Sequence, residues 1–213
     1  MLYRLLTALL FLSAPVFAEE LPLDEPVVQV PVPEEKILTF QACKREFSFE
    51  TRFELSQGKN NLGSITKSSF RLRTNYDLYD VDGNYEALGI CRKLSLGSIF
   101  TWATEIDIYD KDGGYVGFVD GQVITGAAAK FSIYNAMGDC VGIAYLDLKG
   151  ASFTVVDPEN EQRNLASFKR NYVQSTTDHW DVQVYCPKSI DMRILKMFSA
   201  FAVDTQEKFK KDT

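Results

Sequence analysis

The segment EIDIYDKDGGYVGFVDGQ, residues 105–122, has two runs of alternating apolar residues on either side of a short turn. Side chains alternate along a β-strand, so Ile106 and Ile108 point to one face and the residues between them point to the other. Asp110 opens the turn, because its side chain can hydrogen-bond the backbone two residues on, and Gly113 supplies a positive φ. The segment therefore predicts a β-hairpin.

The hairpin pattern returns four more times, at residues 53–67, 76–90, 131–147 and 153–169. Each copy has an alternating apolar run, a turn opened by Asp, Asn or Ser, and a second alternating run. Counting two strands per copy and adding residues 179–186 gives about eleven or twelve short strands. Such a series of antiparallel strands predicts a barrel or a sandwich.

The C-terminal residues change to a helical period. In SIDMRILKMFSAFAVDTQEKFKK, residues 189–211, apolar side chains recur every three or four positions, and no charge occurs between Met197 and Val203. Ser189 can cap the helix, and Asp191 falls in its first turn, where the helix dipole favours negative charge. A helix that is apolar nearly all round is usually buried, here inside the strands. A surface helix offered to a partner or a membrane is the alternative.

The predicted fold is therefore mostly β with one buried C-terminal helix, residues 189–210. The hairpin repeats would form an antiparallel closed barrel of about 11–12 strands around that helix. Residues 37–213 hold all of these elements, and they are numerous enough for one domain with a sizeable core.

The first 36 residues differ in composition from this domain. Residues 1–18 have one early cation, Arg4, a short apolar run and a final Ala18, which is the pattern of a cleaved signal peptide. An uncleaved membrane anchor is the alternative, but the run is shorter than the roughly 20 residues that a spanning helix needs. Residues 19–36 hold four of the seven prolines and six acids, which is typical of an extended tether. The mature chain is expected to be exported, either periplasmic or secreted, without a transmembrane span.

The charge of the chain points to no particular partner. The formal net charge is −6, but residues 1–36 account for −4 of it and residues 37–213 for only −2. The net charge of this domain therefore argues for neither a cationic partner nor nucleic acid. Nucleic-acid binding is therefore not expected.

Four cysteines lie far apart in the sequence, at intervals of 48, 49 and 46 residues. An even number in an exported chain allows two disulfides, and the sequence does not rank the three pairings. Four buried thiols are the alternative, because free cysteine packs as a small apolar group. The spacing does not suit a zinc site, whose ligands cluster two to four residues apart. The residues are Cys43, Cys91, Cys140 and Cys186.

Few residues indicate catalysis. The single histidine, His179, lies between Asp178 and Asp181, and an Asp–His pair would suit a general base. No GxSxG-type nucleophile motif accompanies it, and a lone histidine at the start of a strand is more often structural. We therefore expect a protein that is not an enzyme, with a hydrolase using His179 as a distant alternative.

Two turns imitate the start of a calcium-binding EF-hand loop. The pairs Asp80/Asp82 and Asp110/Asp112 have the right spacing, but a glycine comes at the fourth position rather than the sixth. No glutamate closes a twelve-residue loop. Calcium is therefore kept only as an alternative to a structural role for these turns, and no other cofactor is predicted.

The strongest anion-binding candidate is ITKSSFRLRTNY, residues 65–76. If these residues form one strand, three cations and a serine share one face, while Phe70 and Leu72 enter the core. Phosphate or a lipid headgroup suits such a face, because arginine can bind phosphate with two parallel hydrogen bonds. The alternative is a solvated face that pairs with Glu105 and Asp107 across the sheet. The candidate residues are Lys67, Ser69, Arg71 and Arg73.

The end of the chain carries a family resemblance. In WDVQVYCPKSIDMRILKMFSAFAVD, residues 180–204, an aromatic-led strand, a proline, an aspartate and a basic residue precede an apolar helix that ends on aspartate. This order resembles the ending of phospholipid scramblases. The YD..G hairpins are similar to the repeated unit of the wider Tubby C-terminal-like superfamily, which also includes the LURP-one-related families. The matching residues are Trp180, Pro187, Asp191, Arg193 and Asp204.

This resemblance would cover residues 40–210, and it implies a β-barrel that encloses the helix. It also suggests that acids before the last strand, here Asp178 and Asp181, are calcium ligands. We therefore expect an exported, non-enzymatic binding module for a phospholipid headgroup or another anion. A structural or protein-interaction component of the cell envelope is the alternative.

Overall fold

The structure of the protein, a computed structural model, describes residues 36–46, 50–68, 74–92, 105–125, 128–147, 152–171 and 179–211. These residues form twelve β-strands and one α-helix, which confirms the predicted mostly β fold with one C-terminal helix. The elements are β1 (Leu38–Glu46), β2 (Glu50–Gln57), β3 (Asn60–Ser68), β4 (Asn75–Tyr79), β5 (Tyr85–Cys91), β6 (Glu105–Asp110), β7 (Tyr115–Thr125), β8 (Ala128–Asn135), β9 (Cys140–Asp147), β10 (Ser152–Val156), β11 (Asn164–Asn171), β12 (His179–Val184) and α1 (Met192–Lys211).

The twelve strands close into one antiparallel barrel. Each strand pairs with its neighbours in sequence, and β1 completes the ring by pairing with β12, where Leu38 lies opposite Val184. The five predicted hairpins correspond to β2–β3, β4–β5, β6–β7, β8–β9 and β10–β11. Every described strand therefore has a hydrogen-bonded partner on both sides, as a closed barrel requires.

The antiparallel order sorts the connections to the two ends of the barrel. The turns after β2, β4, β6, β8 and β10 lie at one end, the turn end, together with the starts of β1 and α1. The last residues of β1, β3, β5, β7, β9 and β11 lie at the opposite end, the far end.

Three of the tight turns at the turn end share one hydrogen-bond pattern. The Oδ1 of Asp80, Asp110 or Asn135 accepts hydrogen bonds from the backbone N–H groups two and four residues later, at 2.6–2.9 Å. The predicted role of these residues as turn openers is therefore confirmed.

Helix α1 lies inside the barrel. Its ring at Phe198 contacts aromatic rings of β8, β10 and β11, with centroids 5.2–5.7 Å apart, at Phe131, Phe153 and Phe168. The helix also contacts β1, β4, β7 and β12, so strands surround it on all sides. Residues 197–201 are at most 1% exposed. The interior position predicted from the apolar pattern is confirmed, and the alternative of a surface helix is wrong.

The helix begins later than predicted. Ser189 lies in a turn, and the N-cap is Asp191, whose Oδ1 accepts a hydrogen bond from the Arg193 N–H at 2.9 Å. The Asp191 carboxylate also pairs with the Arg193 guanidinium at 2.6 Å. Burial raises the pKa of Asp191, but the hydrogen bonds from Arg193 outweigh it and hold the pKa below its usual value. The prediction of Ser189 as the cap was wrong, because Asp191 directly precedes the first helical turn.

Glycines on the inner face make room for the segment that contains the helix. At Gly142 on β9, a Cβ would lie 2.9 Å from Ile190 Cδ1, just before the helix. At Gly89 on β5, a Cβ would lie 2.7 Å from Ile106 Cδ1 and 3.5 Å from Met197 Sδ. Larger residues here would displace core side chains, so these positions fix how closely helix and strands approach.

Two predicted N-terminal segments precede the described part of the chain almost entirely. The signal peptide, residues 1–18, lies outside the described residues, and so does the tether at residues 19–36 except for its last residue. In the described part of the chain, no helix combines the length and the apolar character needed to cross a membrane.

Candidate functional site

The predicted anion site is described only in part. Lys67 lies on β3, whereas Ser69, Arg71 and Arg73 lie outside the described residues. Residues 65–76 do not form the single strand on which the shared face depended, because β3 ends at Ser68, β4 begins at Asn75 and the two strands pair with each other. The alternation of faces therefore cannot be carried from Lys67 to the two arginines.

The side chain of Lys67 projects from the inner face of the barrel, whereas the solvent face was predicted. It stands on the same side of β3 as the fully buried Ile65. It also lies directly opposite Tyr76 of β4, which is 2% exposed. Residues directly opposite in an antiparallel pair share a face, so the half-buried Lys67 side chain starts inside the barrel near its far end.

Two further cations follow the same rule. Lys44 on β1 lies opposite the buried Phe53 of β2, and Arg170 on β11 lies opposite the buried Trp180 of β12. Arg170 is only 8% exposed, and Lys44 is half-buried. Each cation thus stands on the inner face near the far end, across from a buried aromatic residue. We call Lys44, Lys67 and Arg170 the inner cationic rim.

A neutral hydrogen-bond donor also belongs to the inner face, on β12 next to the strand of Arg170. The Trp180 indole Nε1 is buried, and none of the described residues accepts a hydrogen bond from it. A buried N–H without an acceptor costs about 1–3 kcal/mol. Strands β11, β12, β1, β2, β3 and β4 are consecutive around the barrel, so the cations and the indole occupy one side of its interior. This side can offer both positive charge and a donor to an anion.

The acidic residues of β6 form ion pairs with Arg92, which was not among the predicted site residues. Arg92 Nε lies 2.6 Å from Asp107 Oδ2, and its Nη1 lies 3.1 Å from Glu105 Oε2. Hydrogen bonding to Asp107 raises the pKa of Arg92. Burial and then Asp107 raise the pKa of Tyr115, whose hydroxyl donates to Asp107 at 3.2 Å, to about 12. The expected pairing with Lys67 is wrong, since β4 and β5 separate β3 from β6.

Calcium ligands do not converge in the part of the chain that the structure describes. No group of three or more His, Cys, Asp or Glu side chains there could hold a metal ion. A cavity of about 540 Å³ between the turns at 80–84 and 110–114 is lined by acids, but also by Lys111 and Arg193. Of the two acids that the resemblance suggests, Asp178 lies outside the described residues, and Asp181 accepts a hydrogen bond from Gln41 Nε2 at 2.8 Å.

Closure of the barrel brings Cys43 and His179 together. They lie directly opposite each other on β1 and β12, and His179 Nε2 is 3.9 Å from Asp181 Oδ1. A thiol, an imidazole and a carboxylate are the groups of a cysteine hydrolase. However, burial and then Glu54 raise the pKa of the Cys43 thiol, whereas a nucleophilic cysteine needs a lowered pKa. The arrangement therefore does not supply an activated nucleophile.

No disulfide joins the four cysteines, all of which lie among the described residues. Cys43 projects from the outer face of β1, whereas Cys91 is buried on the inner face of β5, opposite Ile106. Cys140 and Cys186 lie near the turn end and are half-buried. The structure thus contains thiols where the sequence allowed two disulfides, and only Cys91 is buried as the alternative expected.

A scan of the chain against protein-family models gave no match, and a search of curated proteins gave none either. The resemblance to the Tubby C-terminal-like superfamily therefore rests on the C-terminal motif and the hairpin repeat.

Proposed function

We propose that this protein is an exported, non-enzymatic binding domain that takes a phosphate-type anion, such as a phospholipid headgroup, at the inner cationic rim. One observation carries the proposal: each rim cation lies directly across the sheet from a buried aromatic residue. Cations in apolar surroundings attract an anion more strongly than exposed cations do, because the local dielectric constant is lower.

The rim residues supply complementary chemistry for such an anion. Arg170 can donate two parallel hydrogen bonds to two phosphate oxygens, whereas Lys44 and Lys67 act as flexible point charges. The Trp180 N–H adds a neutral donor, and an anion that accepts it would satisfy a buried group that no described residue satisfies. This combination favours an oxyanion with several acceptor oxygens.

Each rim cation already has an interaction within the chain. A bound anion would therefore add to an internal partner or compete with it. A purely structural rim predicts a different result from a binding rim, namely a loss of stability without any anion-dependent signal.

The Tubby-like resemblance supports the proposal through the fold. A closed barrel around a C-terminal helix is the architecture that the resemblance implies, and the described strands and helix have that arrangement. The resemblance also implies a lipid headgroup as the ligand, which agrees with a site for phosphate. Export is proposed from the signal-peptide pattern of residues 1–18, which lie outside the described residues.

Vesicle co-sedimentation and calorimetry test the proposal and distinguish two sources of phosphate. Purified protein is mixed with phosphatidylcholine vesicles, with and without phosphatidic acid, and is titrated separately with glycerol phosphate. We expect Lys44→Gln with Lys67→Gln to weaken binding by about tenfold or more, because two charge-assisted contacts are lost. Binding to vesicles but not to glycerol phosphate would identify a lipid surface as the source.

A matched variant controls for overall charge. Arg45→Gln with Lys111→Gln also removes two cations, but from side chains that are 55% and 65% exposed. We expect this variant to bind the anion nearly as well as wild type. Wild-type protein that binds neither probe, or equal weakening in both double variants, would refute a site at the rim.

Tryptophan fluorescence reports on the rim directly. The chain has two tryptophans, so Trp102→Phe leaves Trp180 as the only indole. We expect glycerol phosphate to change the emission of Trp180 in this variant, and the change to disappear when Lys67→Gln is added. Emission that does not respond at saturating phosphate would contradict a role for the Trp180 N–H.

A second candidate function, protein interaction in the cell envelope, is favoured by the outer face of β6, β7 and β8. Phe118 and Tyr134 stack there with centroids 4.4 Å apart and planes 7° apart, and the Arg92 guanidinium lies 5.3 Å from the Phe118 ring centroid. Tyr109 and Tyr115 form a second ring pair at 5.4 Å. Aromatic residues and arginine are enriched in protein interfaces, which is the reason to consider this face.

Cross-linking in the native envelope followed by purification tests this second candidate. Phe118→Asp with Tyr134→Asp should abolish cross-linked partners that dock on this face. Deletion of residues 19–36 tests docking through the tether in the same assay. Partners that survive both changes would contradict both routes of interaction.

A further inference from the structure

A depression on the outer face of the barrel is separate from the inner cationic rim. It lies where β11, β12, β1 and β2 run side by side, and its volume is about 330 Å³. One cation and one anion line it, Lys169 and Asp181, which lie directly opposite each other on β11 and β12. We call it the outer polar groove. Its other polar lining residues carry amides or hydroxyls: Thr39, Gln41, Ser56, Gln57, Ser167 and Gln183.

Hydrogen bonds fix the orientation of two amides in this groove. Gln41 Nε2 donates to Asp181 Oδ1 at 2.8 Å, and Gln183 Oε1 accepts from the Tyr185 hydroxyl at 3.0 Å. The Tyr185 hydroxyl also lies 3.2 Å from Ser167 Oγ. These contacts use the donor end of Gln41 and the acceptor end of Gln183. The side-chain oxygen of Gln41 and the side-chain NH2 group of Gln183 take no part in these contacts, so a ligand could use an acceptor on β1 and a donor on β12.

The lining selects against several ligand classes. Lys169 and Asp181 cancel in charge, so the groove lacks the positive field that a polyanion such as nucleic acid requires. Six of its eleven lining residues carry amides or hydroxyls, so an acyl chain would cover polar groups that then lose their contact with water. An extended peptide cannot add to the sheet here, because β1 and β12 are each hydrogen-bonded on both sides.

We infer that the outer polar groove binds a neutral saccharide. Each sugar hydroxyl both donates and accepts hydrogen bonds, which matches a surface of mixed amides and hydroxyls. The Asp181 carboxylate can accept from sugar hydroxyls, and the Lys169 ammonium can donate to them. A volume of about 330 Å³ is near the lower limit of ligand pockets and suits about one or two sugar rings.

An array of neutral oligosaccharides, followed by calorimetry with the strongest binder, tests this inference. We expect Gln41→Ala with Gln183→Ala to weaken that binder by about tenfold or more, because two direct hydrogen bonds are lost. Gln162→Ala is the matched control, since Gln162 is an exposed glutamine on the turn between β10 and β11. This control should bind as wild type does.

A second measurement keeps the test valid if the double variant does not fold. In the wild-type protein, the side-chain amide NMR signals of Gln41 and Gln183 should shift on saccharide addition, while that of Gln162 should not. The Lys44→Gln, Lys67→Gln variant should bind the saccharide normally, so failure of the anion proposal leaves this result unaffected. Absence of any bound saccharide, or binding that the groove variants do not change, would overturn the inference.

Discussion

Replacing Phe198 with alanine tests the position of α1 inside the barrel. Phe198 is fully buried, and its ring centroid lies 5.2–6.4 Å from those of four other phenylalanines. A buried phenylalanine covers about 150–250 Å² of apolar surface, which at about 25 cal/mol per Å² gives an upper estimate of roughly 4–6 kcal/mol. Core Phe→Ala substitutions cost about 3–5 kcal/mol, and we expect Phe198→Ala to lower the free energy of unfolding by this amount.

Thermal unfolding followed by circular dichroism measures the effect. In a domain of this size, 1 kcal/mol corresponds to about 2–4 °C, so the expected fall in Tm is about 6–20 °C. Phe118→Ala is the matched control, because its ring is only partly buried on the outer face and should contribute about 1 kcal/mol or less. Equal losses in the two variants would refute the reasoning that α1 forms the centre of the core.

Three further substitutions test local features by the same thermal melt. Gly63→Ala should lower the free energy of unfolding by about 3–5 kcal/mol, because φ is +111° and the new Cβ would lie 2.1 Å from a backbone oxygen. Gly58→Ala is its control: φ is +60° but the space is open, so the loss should be about 1–2 kcal/mol. Asp191→Ala should cost about 1 kcal/mol near pH 7. Because the folded pKa of Asp191 is lowered, this difference should shrink as the pH falls below the ordinary value of 3.8. Asp110→Ala should lower the Tm, because two hydrogen bonds within the turn are lost. Asp112→Ala should leave the Tm unchanged, because the Asp112 side chain is 77% exposed. A Tm that depends on calcium would contradict a purely structural role for Asp110.

The hairpins could be predicted from sequence because their signals are local. In β6 and β7 the alternation of apolar residues assigns the faces, and Ile106 and Ile108 are indeed fully buried. The turn between these strands depends on Asp110 and its own neighbours, so no distant residue is needed to form it. The helix could be predicted for the same reason, because the spacing of apolar residues changes from two to three or four within a short segment.

The face of Lys67 could not be predicted in the same way. A shift of one residue in a strand moves every side chain to the other face, and a break between two strands resets the pattern. The predicted face of Lys67 depended on residues 65–76 being one strand with Phe70 and Leu72 in the core, but β3 ends at Ser68. Counting forward from Ile65 would have given the inner face. The same count from Phe40 and Ala42 would have found Lys44.

Contacts between the first and last strands were beyond the reach of local patterns. Cys43 lies opposite His179 only because β1 pairs with β12. The sequence of neither segment indicates that these two strands are neighbours. The outer polar groove depends on the same pairing, since Gln41 of β1 reaches Asp181 of β12. Sites of this kind follow from closure of the barrel rather than from a motif.

Closure also links the position of the helix to that of the proposed anion site. The segment after β12 leads directly into α1, so the strand that closes the ring against β1 also delivers the helix into the interior. Leu38 lies opposite Val184, so the start of β1 and the start of α1 both lie at the turn end. The inner cationic rim lies at the far end, so the described chain enters the barrel opposite the proposed site. The rim and the start of α1 therefore lie at opposite ends of the barrel, and both positions follow from the pairing of β1 with β12.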